Sequence, residues 1–169
     1  MQLTVYDMLL PHFVPGLGSA SRIAKSIAAT NDFFEGKRAF YLPSDNHLYI
    51  LPSQIATAMV QAQRMAGSLQ ESIIDAMLFS LRDDIRREMQ ETGTKRCIID
   101  TSPFFSGATH LSWHACDAMI IPVRTDQQSI NSLTLLIKTL SDPASEFRKI
   151  MPSNGHTPKI QMIVLTHCG

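Results

Sequence analysis

The sequence predicts an α/β fold with three layers, in which helices cover both faces of a mainly parallel sheet. Three apolar runs, residues 96–100 (RCIID), 118–123 (AMIIPV) and 159–166 (KIQMIVLT), have the length and composition of strands that are buried on both faces. Helical patterns separate these runs. Strands that alternate with helices at this spacing are typical of βα units on a parallel sheet, so the order of patterns predicts the fold class.

The N-terminal part of the chain is predicted to hold shorter elements. Residues 4–10 place apolar side chains on one helical face before Pro11 ends the pattern, and residues 20–29 have the composition of another short helix. A turn composition separates two β-favouring runs, residues 39–42 and 47–51. We interpret 47–51 as a strand and 39–42 as a weaker candidate for one.

Four helices are predicted in the rest of the chain, at residues 54–66, 68–92, 109–116 and 129–140. The second has the strongest periodicity, with Ser68 as its predicted N-cap and Gly93 after its end. Its apolar stripe predicts packing against a sheet. The stripe consists of Ile73, Met77, Leu81, Ile85 and Met89, and the opposite face carries Arg82, Asp83, Arg86, Arg87 and Glu88.

Composition indicates a single domain spanning residues 1–169. The chain has 44% apolar and 18% charged residues, which is typical of globular proteins, and a formal net charge of zero. A neutral chain has no global attraction for nucleic acid or an anionic membrane, so any DNA contact would be local. Neither a membrane span nor a secretory signal is recognisable, and the three cysteines have no ligand or disulfide spacing. A cytoplasmic location without membrane contact is therefore predicted.

Asp100 is the candidate residue for chemistry. Ligands of open parallel sheets bind beyond the carboxyl ends of the strands, and Asp100 ends the apolar run 96–100. A carboxylate at this position can hold a magnesium ion against nucleotide phosphates. Asp100 is therefore a candidate magnesium ligand, and Thr101, Ser102 and Pro103 follow it in a proline-bounded loop, although an apolar run that ends in Asp is by itself a weak signal. An alternative is that Asp100 only caps a loop or the following helix.

Several motifs in order resemble the ParA/MinD-type ATPases, which have a P-loop NTPase fold. IIDTSP (98–103) is similar to the family's apolar strand that ends in Asp-Thr-Pro-Pro, the Walker B aspartate included. Asp117-Ala118, the strand IIPV (120–123) and Ser129 follow at the family's spacing. The resemblance extends over nearly the whole chain through LTVYDMLL (3–10), NHLYILPS (46–53) and KIQMIVLTHCG (159–169).

The resemblance implies ATP and magnesium as cofactors, bound at the interface of a homodimer. It also implies that Asp100 is the metal ligand and that Asp100, Thr101, Ser102 and Pro103 form the nucleotide- and magnesium-associated loop. It also implies a centromere-binding or adaptor protein as partner, and plasmid or chromosomal DNA as cargo. The family's phosphate-binding Walker A loop, Lys-Gly-Gly-x-Gly-Lys-Thr, is absent from the sequence, and PGLGS (15–19) does not replace it. We therefore expect an N-terminally truncated P-loop NTPase (Rossmann-like) fold that starts after the family's second strand.

The predicted function is that of a ParA/MinD-like ATPase domain fragment, related to plasmid or chromosome partitioning or cargo positioning and inactive in ATP hydrolysis by itself. No catalytic residue is assigned. The alternative is a non-enzymatic protein-interaction module derived from the same fold. Arg148 and Lys149, with Arg124, are the local candidates for a DNA contact. Without the first strand, backbone groups along residues 96–100 are expected to lack partners and to favour self-association.

Overall fold

Helices dominate the structure. The computed structural model describes residues 2–101, 107–152 and 155–166, and 51% of these residues are helical. The described strands form two sheets of two strands each, one antiparallel and one parallel. The predicted three-layer, mainly parallel, P-loop NTPase (Rossmann-like) fold is therefore wrong. Contacts divide the chain into two compact units, Met1–Ala115 and Cys116–Gly169, and the prediction of one domain over 1–169 stays a prediction.

The described residues of the first unit form four α-helices and one short antiparallel sheet of two strands. β1 pairs antiparallel with β2, with Lys25 opposite Tyr41 and Ser26 opposite Phe40. Short 3-10 helices connect the elements. The bounds are α1 Val5–Leu9, β1 Lys25–Ser26, β2 Phe40–Tyr41, α2 Leu51–Gln63, α3 Ser68–Thr92 and α4 Gly107–Ala115, with 3-10 helices at Leu10–His12, Asp32–Phe34 and Asn46–Tyr49.

Two local predictions in this unit are wrong. Residues 20–29 contain β1 and no helix, and the predicted strand 47–51 is replaced by the 3-10 helix Asn46–Tyr49 and the start of α2. The Asp45 side chain accepts a hydrogen bond from the backbone N–H of His47 at 2.8 Å, which caps the 3-10 helix. Pro52 in the first turn then favours α2. These capping residues outweigh the β propensity of the apolar side chains between them.

α3 is the central element of the first unit. Its apolar side chains pack against α1, α2 and α4 in one buried cluster. Gly93 ends the helix in the left-handed conformation (φ 66°), which glycine adopts without a steric penalty. Gly67, not the predicted Ser68, occupies the N-cap position. The most deeply buried members of the cluster are Met8, Leu9, Ile23, Leu51 and Leu111.

The second unit is built on two parallel strands, β3 (Ala118–Arg124) and β4 (Lys159–Thr166). They pair from Ala118 opposite Lys159 to Arg124 opposite Thr166, with an irregularity between Met119 and Ile120. The helices α5 (Gln127–Ser141) and α6 (Glu146–Lys149) connect them. Both strands were predicted, but burial on both faces was not correct, since Ile120 is 67% and Leu165 62% exposed.

The described helices include none that is both long and apolar enough to span a membrane.

Candidate functional site

Asp100 lies near the end of an isolated segment of the first unit. Residues 94–101 run without a helix, turn or bend and belong to no strand. The strand that was predicted at residues 96–100 is not formed among the described residues. No backbone hydrogen bond joins these residues to another described segment. Asp100 and Thr101 are exposed. Ser102 and Pro103, the other predicted site residues, lie outside the described residues.

A groove of about 1690 Å³ runs beside this segment, and all of its lining residues belong to the first unit. Asp100 and Thr101 line one part of it. Other lining residues come from β2, namely Phe40 and Tyr41, and from the C-terminal half of α3. The sequence predicted an open strand end at Asp100, and the structure has there a groove large enough for a sizeable ligand or a polypeptide segment.

The groove is lined by basic residues as well as by Asp100. The side chain of Arg38 lies next to Gly93, the residue that follows α3. A Cβ atom added to Gly93 would be 2.9 Å from the Arg38 guanidinium. Lys95 and Arg96 follow on the isolated segment, and both line the groove and are exposed. Cationic groups of this kind can pair with phosphate or carboxylate oxygens. Arg38 has no motif around it, so sequence reasoning had no signal by which to find it.

A small acidic cluster lies at the edge of the groove around Thr4. The Thr4 hydroxyl is 2.9 Å from both Asp7 Oδ2 and Asp45 Oδ2, and the Thr4 backbone N–H donates to Asp7 Oδ2 at 2.8 Å. Desolvation alone would raise the pKa of Asp45, but hydrogen bonds from Thr4 and His47 and the His47 charge outweigh it. The pKa of Asp45 therefore lies below its ordinary value. The cluster closes the start of α1 against the 3-10 helix Asn46–Tyr49.

The predicted metal site needs further ligands close to Asp100. Among residues 2–101, 107–152 and 155–166, no three His, Cys, Asp or Glu side chains are grouped in a way that could hold a metal ion. The carboxylate of Asp100 forms no ion pair or hydrogen bond within this described part of the chain. Its role as a metal ligand stays a prediction.

Two buried acids of α3 were missed by sequence reasoning. Asp84 is 1% and Glu88 3% exposed, although the periodicity assigned Glu88 to the outer face of the helix. The Glu88 carboxylate accepts hydrogen bonds from the backbone N–H groups of Ile23 (3.2 Å) and Ala24 (3.0 Å). Arg22, just before them, has φ 59°. This left-handed residue helps to direct two successive N–H groups at one carboxylate.

Two of the three candidate DNA contacts in the second unit, Arg124 and Arg148, have protein partners. Arg124 forms an ion pair with Asp126 at 3.5 Å, and Arg148 donates hydrogen bonds to Thr157 and to the sulfur of Met151. Lys149 is exposed at the last residue of α6. Arg148 is thus held within its own unit, which leaves Lys149 and Arg124 as the more accessible cations.

Ser129, one of the residues that carry the family resemblance, has a local structural role at the start of α5. Its backbone N–H donates to Asp126 Oδ1 at 2.9 Å, and its hydroxyl lies 3.1 Å from Asp126 Oδ2. The backbone hydrogen bond from Ser129 is the main reason why the pKa of Asp126 lies below its ordinary value. The Asp-x-x-Ser pattern therefore works here as a helix N-cap.

Comparisons with known proteins returned no match: no protein-family model, no curated protein and no solved structure is similar to this chain at the significance required.

Proposed function

We propose that this chain works in an ATP-linked positioning system of the ParA/MinD kind, in the partitioning of plasmid or chromosomal DNA or the positioning of another cargo. The observation that carries the proposal is the position of Asp100. Its exposed carboxylate stands beside Thr101 at a groove that is also lined by Arg38 and Lys95. A carboxylate suits magnesium, and guanidinium and ammonium groups suit phosphates. The ordered motifs from residue 98 to residue 129 support the same function.

The chain by itself is proposed not to hydrolyse ATP. Phosphoryl transfer depends on groups that position the phosphates and stabilise their charge, above all the backbone amides and lysine of a phosphate-binding loop. The sequence contains no Gly-Lys-Ser or Gly-Lys-Thr ending of such a loop. Calorimetric titration of the purified chain with ATP and magnesium is expected to give no binding at micromolar concentration. Micromolar affinity would defeat this part of the proposal.

A plasmid-retention experiment tests the positioning function. A low-copy plasmid carries the coding sequence with its natural flanking DNA, and its loss without selection is compared for the natural sequence and for a version with an early stop codon. We expect faster loss with the stop codon. Asp100→Asn is expected to behave like the stop codon, whereas Glu35→Gln, which removes another exposed acid, outside the groove, is expected to leave retention unchanged. Equal retention by all versions would contradict the function.

The second candidate is a non-enzymatic protein-interaction module, and the exposure of apolar strand residues favours it. Ile98 is 96% exposed in the first unit, and Met162 and Leu165 are more than half exposed on β4. Apolar side chains in such positions are typical of binding surfaces. In the retention experiment, this function predicts that the stop codon increases plasmid loss while Asp100→Asn does not, because no magnesium site would be needed.

A further inference from the structure

The isolated segment at residues 95–101 (KRCIIDT) has unused backbone hydrogen-bonding groups. It contains no helix, turn or bend, its backbone makes no hydrogen bond to the backbone of another described residue, and most of its side chains are exposed. Backbone groups of this kind are a template for pairing with another strand. Ile99 is the exception to the exposure, since it packs against the apolar cluster of the first unit and so anchors the segment.

Six of the seven side chains in the segment are exposed, and Ile99 is the one that is partly buried. Once the segment pairs as a strand, residues two apart point to the same side, which puts Arg96, Ile98 and Asp100 together on the side opposite Ile99. All three are exposed, Ile98 to 96%. The Asp100 carboxylate has no ion-pair partner among the described residues, and the same is true of the Arg96 guanidinium. The face formed by Arg96, Ile98 and Asp100 therefore carries a basic, an apolar and an acidic side chain in that order.

This face is complementary to itself in one orientation. If two copies align antiparallel with Ile98 opposite Ile98, Arg96 of each copy lies opposite Asp100 of the other, and Cys97 lies opposite Ile99. A parallel alignment in register would instead bring Arg96 against Arg96 and Asp100 against Asp100. Opposite charges across a strand pair stabilise it, and like charges destabilise it. The charge pattern thus selects antiparallel pairing with a two-fold axis at Ile98.

We propose that residues 95–101 pair antiparallel with the same segment of a second copy of this chain, and that the two-stranded sheet so formed joins a homodimer. The contact is isologous, because the same residues contribute from both copies, and it closes at two chains. Every charge pair occurs twice. The proposal uses Asp100 as a pairing residue and not as a metal ligand. Its tests measure dimerisation of the chain without nucleotide or magnesium, so their outcome is separate from that of the plasmid-retention experiment.

Charge reversal with sedimentation equilibrium tests the pairing. Arg96→Asp places two acids opposite each other, and Asp100→Arg places two arginines opposite each other. Because each change affects two symmetric pairs, each single variant is expected to raise the dimer dissociation constant about tenfold or more. The double variant Arg96→Asp with Asp100→Arg restores opposite charges and is expected to dimerise like the natural chain. Recovery in the double variant also shows that the substituted segment still folds.

Disulfide trapping tests the register. In a background with Cys97, Cys116 and Cys168 replaced by serine, Ile98→Cys is expected to form a disulfide-linked dimer under mild oxidation, since directly opposed residues lie within disulfide distance. Leu69→Cys, 60% exposed on α3, is the control and is expected to stay unlinked. A monomeric natural chain, a dimer insensitive to the single reversals, a double variant as weak as the singles, or equal trapping at residue 69 would each overturn the proposal.

Discussion

His12 Nε2 lies 2.9 Å from Asp84 Oδ2, although the two residues are separated by 72 positions in the sequence. The other oxygen of Asp84 accepts a hydrogen bond from Arg87 at 2.8 Å. The Asp84 side chain is 2% exposed, and that of His12 is 30% exposed. Both carboxylate oxygens of a buried acid are thereby satisfied, and the 3-10 helix Leu10–His12 is held against the middle of α3.

We expect His12→Ala to destabilise the first unit by about 1–3 kcal/mol, because Asp84 Oδ2 would be left buried without its partner. Urea denaturation followed by circular dichroism measures the change. His47→Ala is a matched control, since this histidine is 65% exposed and its ion pair with Asp45 is at the surface. A smaller effect is expected there. An equal decrease in the free energy of unfolding in both variants would show that the buried pair of His12 and Asp84 contributes no more than a surface pair.

Glu88→Gln is expected to lower the free energy of unfolding by about 1.5–3 kcal/mol, because a neutral amide replaces the buried carboxylate that accepts the N–H groups of Ile23 and Ala24. Glu91→Gln, one helical turn away, removes an ion pair with Arg22, whose side chain is 83% exposed, and is expected to cost less than about 1 kcal/mol. Hydrogen exchange of the Ile23 and Ala24 amides should increase in the Glu88 variant only. Unchanged exchange would contradict the assigned contact.

Gly107→Ala is expected to destabilise the packing of α4 on α2. A Cβ atom at Gly107 would lie 3.0 Å from Ile55 Cδ1 and 3.3 Å from the backbone Cα of Pro52. The Ile55 side chain or the start of α2 must shift by a few tenths of an ångström, at an expected cost of about 1–3 kcal/mol. Gly18→Ala is the control, since nothing lies within 4 Å of an added Cβ there. Thermal unfolding should distinguish the two variants, and a similar midpoint for both would refute the close contact.

The thiol of Cys116 is expected to react slowly at neutral pH. Burial raises the pKa of Cys116 from 9.0 to about 11, and the nearby Asp117 charge adds to this increase. A backbone hydrogen bond lowers the pKa but does not cancel the effect of burial. Because the thiolate is the reactive form, the rate of iodoacetamide alkylation should continue to rise with pH above 9. A variant with Cys97 and Cys168 replaced by serine isolates the reaction. In urea, where the chain is unfolded, the rate is expected to level off near pH 9. The same behaviour in the folded chain would contradict the raised pKa.

Much of the local structure was predictable because its causes are local. The periodicity of residues 68–92 and the glycine after them predicted α3 almost to its ends, and the apolar runs at 118–123 and 159–166 predicted β3 and β4. By contrast, residues 96–100 have the composition of a strand but remain unpaired among the described residues. A strand needs a neighbour for its hydrogen bonds, and composition does not say whether one is present.

The candidate site was predicted only in part. Asp100 was recognised because it follows an apolar run, which is a pattern visible in sequence. Arg38 could not be recognised, since its proximity to Gly93 arises from the path of the chain between β1 and α2. Asp84 and Glu88 were missed because charged residues on an amphipathic helix are normally assigned to solvent, and only long-range partners make their burial favourable.

By itself, the sequence determined the positions of the main helices, the two parallel strands of the second unit and the net charge of zero. The helices and strands depend on periodicity, capping residues and residue order, which act over a few positions. Only the tertiary structure decided that the described part of the chain is mainly helical, that each of its two sheets has two described strands, and that His12 and Glu88 bind groups more than 60 positions away. The reason is that pairing and burial depend on which distant segments meet, and local patterns carry no information about that choice.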